Sequence, residues 1–226
     1  MANSFIPESS LLVGIIPALI LLYISLKGWQ GKFKDKIMFI MFIIGIFTGT
    51  ILAVLQVFFF RQILSQQQTF PLDFLILFPF LEQIVKTVFL NIRKFQGKQE
   101  TIVYGLGLGL GFGSIYPPAL LLTFDTANVP LTDLLFTLFG SLGLIFVHGA
   151  TGALIGYGIY QVKLPKYYLY SVLILLIMTL VRFVDYQYRW INLVIGVIFY
   201  VYVQKRIIGI ISIQSQHRKR PSKSNL

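Results

Sequence analysis

The sequence predicts an all-α, polytopic membrane helical bundle of about seven transmembrane helices, with the N-terminus outside and the C-terminus cytoplasmic. Composition is the first reason. Of 226 residues, 56% are hydrophobic and 12% charged, and the mean hydropathy is +0.79, whereas soluble domains carry about 25% charged residues. Length is the second. Seven apolar runs, at 11–26, 37–60, 70–92, 101–124, 131–160, 166–184 and 190–204, approach or exceed the length a helix needs to cross about 30 Å of hydrocarbon. The third reason is where the basic residues fall. Lys27, Lys32, Lys34 and Lys36 precede the second run, and Arg93, Lys94 and Lys98 precede the fourth. Lys163 and Lys166 precede the sixth, and Lys205, Arg206, Arg218, Lys219, Arg220 and Lys223 follow the seventh. The intervening loops hold Arg61, no base near Asp125, and Arg182 with Arg189. This alternation is the positive-inside pattern, and it calls for an odd number of spans independently of hydropathy.

The formal net charge of +11 therefore belongs to orientation. A nucleic-acid binder would carry its basic face on a soluble domain, and none is present. The absence of cysteine excludes disulfides and thiolate metal sites. Residues 1–204 read as a single transmembrane helical domain and 205–226 as a basic cytoplasmic tail, placed to touch anionic head groups.

Each run has its own features. The first follows Glu8, lacks a basic n-region, and offers no cleavage site in "IPALI", so it reads as a retained span rather than a removed signal peptide. After the second run, Gln66, Gln67 and Gln68 form a polar loop. The third run holds Glu82 and Lys86. Glu82 lies about twelve residues in, which at about 1.5 Å per residue is near mid-depth. Charges there cost several kcal/mol unless paired or hydrated, so they face the bundle interior. At i and i+4 they share a helix face, either as an intrahelical ion pair or as part of a functional polar site.

The fourth run reads "YGLGLGLGFGS". It is not a nucleotide loop, because no strand precedes it and no Lys-Ser/Thr follows. On a helix the glycines form two neighbouring rows, Gly105/Gly109/Gly113 and Gly107/Gly111. Such rows permit very close helix approach, here expected against the third or fifth span; a flexible gate is the other reading. Pro117 and Pro118 remove backbone donors, predicting a kink or break. The fifth run contains His148 at nearly the depth of Glu82, whereas the other histidine, His217, lies in the tail. His148 reads as a hydrogen-bonding residue or a metal ligand, and neither Glu82 nor His148 should face lipid. The two should approach within about 3–7 Å. Asp185, at the end of the sixth run, could complete a site with these residues, although Arg182 three residues earlier on the same face is its more ordinary partner.

Glu-x-x-x-Lys in one span, "GLGFG" in the next and His-x-x-x-Gly in the one after form an ordered set over roughly residues 75–160. The set resembles the PrsW family of membrane proteases, which share a superfamily with the CAAX prenyl proteases and the scaffold subunit of γ-secretase. The resemblance implies catalytic positions at Glu82, Lys86 and His148, with Glu82 and His148 as metal ligands and zinc as cofactor in an active member. The sequence departs from the pattern twice. Gln83 stands where the family has a second glutamate, and in "GFGSIYP" Tyr116 and Pro117 stand where it has Glu-Asn. A catalytic zinc needs three protein ligands plus a water and a group to take that water's proton, and an amide cannot serve as that base. The expectation is therefore a catalytically degenerate relative that binds or scaffolds other membrane proteins, in the plasma membrane of a prokaryote. Its partners would be the lipid bilayer and other transmembrane proteins or peptides, with no nucleic acid. The alternatives are an active intramembrane metallopeptidase and a transporter component whose polar path is lined by Glu82, Lys86 and His148.

Overall fold

The computed structural model describes residues 11–27, 29, 31–65, 72–123, 130–181 and 186–209. Among them the chain is helical throughout its regular structure. The helices are α1 (Leu12–Leu26), α2 (Asp35–Ser65), α3 (Leu72–Leu90), α4 (Thr101–Gly113), α5 (Tyr116–Thr123), α6 (Leu131–Tyr160), α7 (Leu164–Val181) and α8 (Ile191–Val203). They account for the seven expected runs, with α4 and α5 sharing the fourth. Asp35–Phe59, Leu131–Tyr160, Leu164–Val181 and Ile191–Gly209 are each long and apolar enough to cross a membrane. The last includes a π-helical turn, Gln204–Gly209, which carries regular structure past the boundary expected at 204 and buries Ile207 and Ile208. Gln66–Gln68, Arg182, Asp185, His217 and most of the basic tail lie outside the described residues.

The exterior is apolar and the charged side chains of α3 lie inside. Outward-facing Phe47, Val54, Phe58, Val88 and Ile198 are all more than 60% exposed, while Glu82, Lys86 and His148 are 5%, 0% and 1% exposed. Water would penalise that outer surface by roughly 25 cal/mol per Å².

The core is built around α4, whose every residue is buried. Five glycines in thirteen positions weaken an isolated helix by about 1 kcal/mol each; packing on all sides holds this one. The two rows face different neighbours. A Cβ added to Gly105 or Gly109 would overlap the carbonyl oxygens of Gly152 or His148 in α6, and one on Gly111 would overlap that of Phe42 in α2. The neighbours reciprocate with Gly45 and Gly49 from α2 and with Gly152 and Gly156 from α6. The close partners of α4 are therefore the fifth span, as expected, and the second. The third span packs mainly on α7 and α6. Helix order around a centre is a tertiary property, and glycine spacing carries no information about it.

The predicted break falls at Ser114–Ile115, between α4 and α5. Pro118 has no N–H to offer the Ser114 carbonyl four residues back. That carbonyl is met instead by Gly14 of α1, where any Cβ would overlap it, a geometry suited to a weak Cα–H···O contact. The break leaves α5 with Tyr116 at its first position, and this aims the phenol into the centre of the bundle.

Candidate functional site

Five helices deliver side chains to one buried cluster. From α3 come Glu82, Gln83 and Lys86, and from α6 His148 and Thr151. The other contributors are Phe112 from α4, Tyr116 from α5 and Gln56 from α2. Glu82 and His148 converge as their shared depth predicts, with His148 Nε2 3.8 Å from Glu82 Oε2.

Lys86 bonds to Gln83 on its own helix and reaches across to α6. Its Nζ lies 2.9 Å from His148 Nδ1, 2.9 Å from Thr151 Oγ1 and 3.4 Å from Gln83 Oε1. Three donors thus meet three acceptors, which satisfies an ammonium group completely. The face that Glu82 and Lys86 share points at α6, so the simple intrahelical pair is replaced by a link between helices. With Lys86 as an ammonium, which only donates, Nδ1 of His148 accepts and the ring proton lies on Nε2, toward Glu82. Nζ also stands 5.1 Å from the centroid of the Phe112 ring, a cation–π contact in a desolvated site.

Glu82 is saturated from its other side. Tyr116 Oη and Gln56 Nε2 both donate to Glu82 Oε1. Tyr116 also stacks on the imidazole, with centroids 4.9 Å apart and planes 11° from parallel, and Phe112 packs on the same ring at 4.9 Å. His148 is thereby fixed by an ammonium at one nitrogen, a carboxylate near the other and aromatic rings against it. Carboxylate, neutral imidazole and ammonium together balance in charge, which lets so deep a polar cluster persist. Among the described residues, Gln83 Nε2 and Thr87 Oγ1 are buried without a hydrogen-bond partner.

Among the described residues no three His, Cys, Asp or Glu side chains gather where they would hold an ion, and a catalytic zinc takes three protein ligands.

Sequence reasoning placed Glu82, Lys86 and His148 in the bundle interior, where they lie, but did not anticipate the partners Gln56 and Thr151 or the bond from Tyr116. Gln56 had a visible signal, as a single amide inside "ILAVLQVFFF". Replacing Tyr116 by Phe keeps the ring stack and deletes one donor to a buried carboxylate. The expected loss is about 1–3 kcal/mol, read as a lower thermal unfolding midpoint in detergent.

Comparison of the chain with protein-family models, with curated proteins and with solved structures finds no match.

Proposed function

We propose that this chain is an integral protein of a prokaryotic plasma membrane, crossing it seven times with the N-terminus outside and the C-terminus cytoplasmic. Within it, the chain acts as a catalytically degenerate PrsW-like protein that binds or scaffolds other membrane proteins. The observation that supports this best is the behaviour of the two positions where the sequence departs from the family pattern. Gln83 replaces a glutamate, and its Oε1 accepts from Lys86. Tyr116 replaces an acidic position, and its hydroxyl donates to Glu82. An amide and a phenol occupy places where carboxylates would converge on a cation; the phenol donates to the remaining carboxylate and the amide oxygen accepts from Lys86 instead. Closing the cluster this way favours a rigid helix-packing core over a water-accessible hydrolytic centre, whose nucleophile must be a bound water. Partners would be met on outward apolar faces, such as the Leu169, Leu173 and Ile177 side of α7.

The test is zinc content and thermal stability of the purified protein, with and without chelator. The expected result is far less than one equivalent of zinc and a midpoint that chelation does not move. Stoichiometric, chelator-sensitive zinc would overturn this reading and make the metallopeptidase the leading one.

A further inference from the structure

Away from the buried cluster, the start of α2 and the segment between α3 and α4 enclose a small pocket. It is lined by Lys34, Ile37, Lys94, Phe95, Lys98, Glu100 and Tyr104. We infer that this pocket is a binding site for a phosphate-bearing anion, presented to it as the head group of an anionic phospholipid.

Charge is the first support. Three lysines and one glutamate line the opening, with Asp35 next in sequence to Lys34. All three lysines are exposed at the rim, whereas Phe95 and Tyr104 are buried beneath. An ammonium rim over an apolar and aromatic floor suits a ligand with an anionic end and a less polar remainder. Basic pockets at helix ends on the cytoplasmic side recognise head groups through this combination.

Preorganisation is the second support. The loop carrying Lys94 and Lys98 is tied down: Phe95 N donates to Ile92 O at 2.8 Å, and Lys98 N donates to Phe95 O at 3.2 Å. Thr101 Oγ1 donates to the Phe95 carbonyl at 2.6 Å. Gly97, at φ +67°, supplies the left-handed residue the turn needs. The Phe95 and Tyr104 rings pack at 5.3 Å, and Tyr104 Oη accepts from the backbone N–H of Lys34 at 3.1 Å. That bond joins the two segments across the pocket, so the lysines project from fixed backbone. Little backbone ordering is then left to oppose binding.

Placement is the third. The positive-inside alternation assigns both segments to one side of the membrane, and the fold brings them together. The leaflet rests on the orientation proposed above; the site itself does not.

Native mass spectrometry of the protein in non-ionic detergent, with added phosphatidylglycerol or phosphatidylcholine, tests the site. Phosphatidylglycerol should bind preferentially. The triple change Lys34→Gln, Lys94→Gln, Lys98→Gln should weaken its binding on the order of a hundredfold, at about fivefold per lysine. Removing equal charge elsewhere on the same face, by Lys163→Gln, Lys166→Gln and Lys205→Gln, should change it by no more than about twofold. An equal loss in that control, or equal binding of phosphatidylcholine, overturns the site. Displacement of the lipid by millimolar inorganic phosphate overturns the assignment to a head group. All six lysines are exposed, and an unchanged thermal midpoint confirms that each triple variant folds. Orientation is read separately. The chain has no cysteine, so a thiol introduced by Gln96→Cys should be labelled only from the cytoplasmic side. Labelling from outside would overturn the leaflet and leave the detergent result standing.

Discussion

Replacing Lys86 by Met should cost about 3–5 kcal/mol, because it removes the buried cation that offsets the Glu82 carboxylate within one cluster. For a chain of this size that corresponds to a fall of roughly 6–20 °C in the thermal midpoint. Methionine nearly preserves length and volume, so the loss reports charge and hydrogen bonding rather than a cavity. Lys86 is wholly buried and donates to groups on two helices. Its removal leaves His148 Nδ1 and Thr151 Oγ1 without that donor and leaves Glu82 without its compensating cation. An exposed ion pair would give less than about 1 kcal/mol, so a small effect would mean that the cluster is hydrated.

Gly109→Ala should be nearly as damaging, at about 3 kcal/mol, the upper end of ordinary overpacking. The new methyl would overlap the His148 carbonyl oxygen. Backbone cannot rotate away as a side chain can, so α4 and α6 must separate, and with them the cluster that His148 anchors. Gly107→Ala supplies the contrast within the same helix. Its methyl would meet the Met38 carbonyl at 3.1 Å and the flexible Met38 side chain at 3.4 Å. Part of that strain is offset by the gain of about 1 kcal/mol in helix propensity. Thermal unfolding of the two variants should therefore differ widely, although both add one methyl to one helix.

Much of this was legible in the sequence, for physical reasons that also mark where legibility ends. Hydropathy and charge alternation located the helices, because the penalty for a misplaced apolar run or lysine is local and large. The Ser114–Ile115 break could be anticipated because Pro117 and Pro118 each delete a specific hydrogen bond. The depth of Glu82 and His148 could be counted, and their approach followed. Neighbour identity could not be read: the Gly107/Gly111 row announced a close helix, but α2 rather than α3 fills it. Spacing likewise could not say that Lys86 would reach across to α6 instead of closing on Glu82. Tyr116 stood out only as a departure from the expected pattern. Its bond to Glu82 depends on the direction in which α5 restarts after the break, which only the packed structure displays.

A double-mutant cycle on Glu82 and Lys86 measures directly whether their charges are held in one closed network. Glu82→Gln and Lys86→Met each strand a charge, whereas the double variant strands neither. The double variant should be more stable than the sum of the single losses predicts, by about 1–3 kcal/mol of coupling, in the absence of any metal. Additive losses would contradict the network, because they would mean that water or an ion, rather than the protein's own partners, compensates each charge separately.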